Sequence, residues 1–201
     1  SMMAAFEEDP DLELTDTINT GNTGSMRIGG AVKTDSHPYG RITLQQVFEK
    51  SSNIGVAKLV DGVFNRAPDK DKPLGFQMAG EARPYIKDPR DRSWSRTSLT
   101  TMSIGYELKL APLQTLAFYN AVANNGVKIQ PIIVKEIKQA DKVLERFEAQ
   151  VLNPKICSDE TLRKVRAMME GVVEHGTARG IRTNDYLIAG KTGTAWKFKN
   201  G

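Results

Sequence analysis

The sequence predicts an α+β fold, a helical cluster packed against an antiparallel sheet, on three observations. Apolar residues recur at helical spacing in several separated stretches. Short runs between turn residues read as antiparallel strands. Helices and strands fall in separate runs, and no segment repeats at a fixed period. The chain has 201 residues, enough for one substantial core. It is 39% hydrophobic and 26% charged, an ordinary globular balance that excludes wholesale disorder.

Met2-Met3-Ala4-Ala5-Phe6 opens in mid-pattern, without a start signal, and reads as the tail of a helix ended by Asp9-Pro10. Leu14 to Val32 is rich in Thr, Asn and Gly and reads as short strands joined by turns. Thr43-Leu44-Gln45-Gln46 fits a capping box, and Leu44, Val47 and Phe48 then share one helical face. Ser51-Ser52-Asn53 interrupts that helix. A second runs from Ile54 to Phe64 with Val56, Leu59, Val60 and Val63 as its stripe. Asn65 to Ser98 carries Pro68, Pro73, Pro84 and Pro89 among many charges and reads as a long irregular segment, more often functional than filler.

Pro112 begins a helix through Ala123, closed by Asn124-Asn125-Gly126. Pro131 to Lys138 and Val143 to Phe147 read as a hairpin. Ser158 caps a long helix whose first turn holds Asp159 and Glu160. Its inner face is Leu162, Val165, Met169 and Val172 or Val173. Leu187 to Phe198 reads as a strand.

Several function classes have little support. Lys and Arg number 28 against 24 for Asp and Glu, and the basic residues are scattered, so no nucleic-acid partner is expected. The single cysteine, Cys157, allows no intrachain disulfide and reads as a small apolar residue near a helix start. No metal-ligand spacing of Cys or His is present, and no run is long and apolar enough for a membrane span. His175 reads as a helix C-terminal residue and His37 as a turn residue. Arg90, Arg92 and Arg96 form a cluster that reads as a solvated face.

Lys191-Thr192-Gly193-Thr194 is the most informative stretch. By chance a Lys-Thr-Gly triplet turns up in about one chain of this length in twenty, so alone it fits a surface strand with a solvated lysine. Its setting says more. Gly190 and Gly193 flank the Lys-Thr pair, and glycine weakens a strand unless another backbone lies close. Ser51-Ser52-Asn53 alone reads as ordinary capping between helices. A Ser-x-Asn between helices followed by a distant Lys-Thr-Gly is the order of the second and third motifs of serine penicillin-recognising enzymes.

Further stretches resemble that family in the same order. Lys50-Ser51-Ser52-Asn53-Ile54-Gly55 resembles its second motif with flanks. Ile104-Gly105-Tyr106 and Ala111-Pro112-Leu113-Gln114 resemble the entrance of its central helix, and Ala123-Asn124-Asn125-Gly126 the exit. Gly176-Thr177-Ala178 and Ala189 to Ala195 resemble the approach to the third motif. The chain as a whole resembles the transpeptidase domain of class B penicillin-binding proteins, with wording closer to division-type members.

The resemblance implies a penicillin-binding/β-lactamase-like transpeptidase fold and a serine D,D-transpeptidase that needs no cofactor or metal. It gives Ser51 a proton-relay role. Lys191 supplies positive charge, and Thr194 N–H is an oxyanion donor. Asn53 holds the substrate amide, Thr192 bonds its carboxylate, and Gly193 leaves room for its backbone. Trp196, two residues after Thr194, reads either as a packing residue or as a lining of the acyl pocket. The implied partners are peptidoglycan stem peptides, β-lactams, and cell-division or cell-wall proteins. The implied location is a membrane-anchored protein whose transpeptidase domain is periplasmic.

One departure stands out: no serine here has a lysine three residues on, so the family's nucleophilic Ser-x-x-Lys is absent from these residues. The expectation is an incomplete domain over residues 1–201, truncated at both ends. It starts just after that motif and ends after the Lys-Thr-Gly strand, and on its own it is inactive. The alternatives are a D,D-carboxypeptidase or β-lactamase of the same superfamily, or a non-catalytic binding or sensor module.

Overall fold

A computed structural model describes residues 1–64 and 84–194. The first helix, α1 (Met2–Glu8), ends before Pro10, where proline stops helix propagation. Strands β1 (Thr17–Asn19), β2 (Ser25–Ile28), β3 (Ala31–Thr34) and β4 (Arg41–Thr43) follow. β2 and β3 form a hairpin whose two-residue turn, Gly29-Gly30, takes positive φ at both positions. β1 pairs with β4, a three-residue strand that the capping signal of Thr43 conceals in the sequence.

Helices α2 (Leu44–Glu49) and α3 (Asn53–Val63) come next. The expected capping box is formed. Thr43 Oγ1 accepts the Gln46 N–H at 3.1 Å, and Gln46 Oε1 accepts the Thr43 N–H at 3.0 Å. The Asn65–Ser98 segment is described from residue 84 onward. It contains strand β5 (Tyr85–Ile86), paired with β6 (Leu108–Lys109), and leads into α4 (Ser98–Met102). Helix α5 spans Pro112–Ala123, as its first-turn proline predicts.

Strands β7 (Lys128–Ile129) and β10 (Val151–Asn153) pair with each other. The expected hairpin is formed by β8 (Glu136–Gln139) and β9 (Lys142–Arg146), shorter than its apolar pattern because Pro131 to Lys135 joins no ladder. The long helix α6 covers Asp159–Glu174 and is followed by a 3-10 turn at Arg179–Ile181.

Among the described residues the strands form five separate antiparallel pairs. The strand expected over Leu187 to Phe198 is not formed over residues 187–194, and the remainder lies outside the described residues. A strand exists only through a neighbour's ladder, and the backbone here bonds elsewhere: the Gly190 N–H donates to Met169 O of α6 at 3.1 Å.

The core is helical. Met2, Ala5 and Phe6 of α1 pack with Leu44, Leu59, Val122 and, from α6, Leu162, Val165, Met168 and Met169. The inner face of α6 includes every residue expected of it, with both Val172 and Val173 buried and Met168 added. Lys164 shares that face yet keeps its charge satisfied. Its ammonium reaches Leu12 O at 2.6 Å and Glu13 at 3.1 Å, and stands 5.5 Å from the centre of the Phe6 ring.

The start of α6 is fastened to α1. Ser158 Oγ accepts the Thr161 N–H at 3.1 Å and donates to Glu7 Oε1 at 2.7 Å, and the Ser158 N–H donates to the same oxygen at 3.0 Å. The side-chain bond with Thr161, then the Ser158 contacts and nearby Lys155, hold the Glu7 carboxyl below its usual range against the opposing effect of burial. A carboxyl lowered in the folded state adds stability above its unfolded pKa and loses it as pH falls through the folded value. Glu7 is exposed, so the contribution is screened. Glu7→Gln is expected to lower stability at neutral pH by about 0.5–1 kcal/mol and to flatten the acid limb of the urea midpoint against pH.

Candidate active site

The connection between α2 and α3 places the first functional side chain. The Ser52 N–H donates to Val47 O at 2.9 Å and the Ser51 N–H to Phe48 O at 3.2 Å. That pair of bonds closes α2 as a Schellman motif, with Ser51 at the position normally held by glycine. Ser51 has φ +53°, in the left-handed region. A side chain there costs about 1–2 kcal/mol. Such strain at a hydroxyl residue points to a use for the hydroxyl.

Ser52 starts α3. Its Oγ accepts the Gly55 N–H at 2.9 Å and donates to Asp35 Oδ2 at 2.6 Å, while Asp35 Oδ1 accepts the Ile54 N–H at 3.0 Å. The Asp35 carboxylate, just after β3, therefore fixes the turn from below. Asn53 is exposed, and its Nδ2 donates to Thr34 O at 2.9 Å.

The second half of the site leaves the end of α6. Gly171 and Gly176 let α2 approach closely. A Cβ on Gly176 would sit 2.4 Å from Glu49 O, and one on Gly171 would sit 2.1 Å from Glu49 Oε1. In this close approach the Thr177 N–H donates to Glu49 O at 3.1 Å. Thr177 Oγ1 lies 2.7 Å from Thr192 Oγ1.

Lys191, next along, donates through Nζ to Ser51 Oγ, 140 residues away in sequence, and to Thr192 O at 3.1 Å. Its ammonium stands 5.6 Å from the centre of the Phe48 ring. Burial pushes the Lys191 amine below the ordinary lysine range, and no carboxylate among the described residues pairs with it.

The structure thus brings together Ser51, Lys191 and Thr192, with Asn53 two residues along from Ser51. Thr192, Gly193 and Thr194 are exposed. Trp196 lies outside the described residues. Phe48, Glu49, Asp35 and Thr177 escaped the sequence reading of the site. No local spacing relates Asp35 to Ser52 or Thr177 to Thr192, and only the Gly176-Thr177-Ala178 motif offered a signal.

Cys157 is buried in the core and its thiol is pushed up, first by burial and then by Glu7, so it is no thiolate nucleophile. An open concavity between α1 and α3, bordered by Glu8, Asp9, Lys58 and Val63, has no Ser, Thr or Cys among the described residues of its lining. Ser51 and Lys191, joined by a hydrogen bond, are the candidate pair.

Two measurements check this geometry. Ser51→Gly and Ser51→Ala both remove the hydroxyl, but glycine relieves the left-handed strain. Ser51→Gly is expected to be about 1–2 kcal/mol more stable than Ser51→Ala in urea unfolding. The Lys191 amine is expected to titrate below 10.5 by NMR at its Cε. Because the unfolded chain holds that proton more tightly, stability rises with pH from the folded value toward 10.5. Lys191→Met is expected to remove that rise.

Comparison with known proteins places the chain in a family. The chain is 31% identical over 189 residues to penicillin-binding protein PbpB of Mycolicibacterium smegmatis, covering 86% of this chain and 28% of that protein. It is 30% identical over 200 residues to the probable peptidoglycan D,D-transpeptidase PenA of Neisseria flavescens, covering 92% and 45% respectively. It therefore spans less than half the length of either relative.

Among solved structures, the apo form of penicillin-binding protein 3 from Mycobacterium tuberculosis superposes with a TM-score of 0.80 at 26% identity, over 99% of this chain and 47% of that one. The same protein complexed with ampicillin gives 0.67 at 25% identity, over 86% and 39%. These likenesses bear out the fold class and the class B resemblance read from the sequence. The family model for the penicillin binding protein transpeptidase domain matches residues 1–201, and the chain belongs to that family.

Proposed function

We propose that the protein is a serine-type peptidoglycan D,D-transpeptidase and a covalent target of β-lactams. The observation that carries this reading is the Lys191 ammonium on the Ser51 hydroxyl, two groups remote in sequence. The residues described here supply the environment of the acyl transfer. In this reading the nucleophile belongs to a Ser-x-x-Lys motif, which residues 1–201 do not contain.

In this reading the nucleophilic serine oxygen bonds to the carbonyl carbon of the penultimate D-Ala. The peptide C–N bond breaks, and terminal D-Ala leaves with the serine proton, passed on through the Ser51 hydroxyl. The ester then yields to an amine of a neighbouring stem peptide, which loses its proton by the reverse route. Lys191 places positive charge beside the relay and attracts the terminal carboxylate. Thr192 bonds that carboxylate, Asn53 pairs with the substrate amide, and bare Gly193 leaves space for the extended chain. Thr194 N–H donates to the oxyanion, a contact typically worth about 3 kcal/mol of barrier.

The ampicillin complex of the mycobacterial relative supports the β-lactam part of this reading. No helix among the described residues is long and apolar enough to cross a membrane. Membrane anchoring, a periplasmic site of action and cell-division partners belong to the same proposal, and only the family resemblance supports them.

Intact-mass spectrometry after incubation with a penicillin tests the assignment. The 201-residue chain is expected to gain no mass. A longer form of the protein that carries a Ser-x-x-Lys motif is expected to gain one penicillin per chain. An adduct on the 201-residue chain would overturn the residue roles.

A further inference from the structure

Thr177 stands between the two halves of the site and has no part in the chemistry above. Its N–H is committed to Glu49 O at 3.1 Å, two residues before Ser51. Its hydroxyl is 2.7 Å from that of Thr192, close enough for a hydrogen bond in either direction. The Thr192 carbonyl is held in turn by Lys191 Nζ at 3.1 Å. Thr177 is thus anchored to α2 and reaches the segment that carries Lys191.

The direction of the hydroxyl bond matters. A hydroxyl has one proton to give and two lone pairs to receive with, whereas a carboxylate only accepts. If Thr192 gives its proton to Thr177, it has none for a carboxylate. If Thr177 gives its proton to Thr192, the bond is kept and the Thr192 proton is free to point outward. Donors in such a chain polarise one another, which strengthens the outer bond. Thr177 and Thr192 are both exposed, so a ligand can reach the pair.

We propose that Thr177 is a positioning residue that donates its hydroxyl proton to Thr192 and so turns the Thr192 proton toward the terminal carboxylate of a bound peptide. Thr177 itself does not touch the ligand. This inference rests on the D-Ala-D-Ala reading of the site, and it makes discrimination between a free carboxylate and its amide depend on a residue outside the Lys-Thr-Gly motif.

The test is reversible binding to the 201-residue chain, followed by NMR shifts, of N-acetyl-D-Ala-D-Ala and its C-terminal amide. The wild-type chain is expected to prefer the acid. Thr177→Val is expected to reduce that preference by about three- to tenfold, the worth of one hydrogen bond, and Thr177→Ser to retain it. Thr177→Ala is the second hydroxyl-free variant if valine disturbs the fold. In a Thr192→Val background, loss of the Thr177 hydroxyl is expected to change nothing further, because it acts through Thr192.

An unchanged acid preference in folded Thr177→Val or Thr177→Ala overturns the inference and leaves the D-Ala-D-Ala reading standing. Loss of the preference in Thr177→Ser, which keeps the hydroxyl, also overturns it. A wild-type chain that binds both peptides alike, or neither, overturns the reading of the site and the inference with it.

Discussion

The contact between the end of α2 and the end of α6 is the constraint on which the site depends. The Glu49 carbonyl accepts the Thr177 N–H; the backbones come this close because residue 176 lacks a side chain, while residue 171, also bare, leaves room for the Glu49 side chain. On one side of this contact the chain closes α2 and turns through Ser51. On the other it runs from Thr177 toward Lys191. A shift of one helix against the other would part the Ser51 hydroxyl from the Lys191 ammonium, and interiors packed to this density resist such shifts.

The features legible in the sequence are those that act over one turn of chain. The caps at Thr43 and Ser158 were readable because the side chain and the N–H it serves lie three residues apart. The buried face of α6 was readable because its period is that of the helix. Features that depend on remote partners left no such trace. Nothing in the spacing announces that Glu7 clasps Ser158 or that Asp35 receives Ser52. The expected strand at Leu187 fails for the same reason: β-propensity describes a residue, whereas a ladder requires a neighbour.

The site motifs sit between these cases. Ser-x-Asn and Lys-Thr-Gly were visible as words, and family resemblance joined them. The left-handed backbone at Ser51 was not visible, since serine gives no sign of a conformation that glycine prefers. Nor was the environment of Lys191. Among the described residues the amine meets a hydroxyl, a carbonyl and an aromatic face rather than an acid, so no counter-ion among them cancels its charge.

The lone cysteine has a consequence of another kind. Cys157 is sealed in the apolar interface between α1 and α6, beside the serine that Glu7 clasps. Reagents that modify sulfhydryls reach it only when that interface opens, and the raised pKa slows them further. With one sulfhydryl in the chain, its labelling rate is a built-in clock for the detachment of the N-terminal helix.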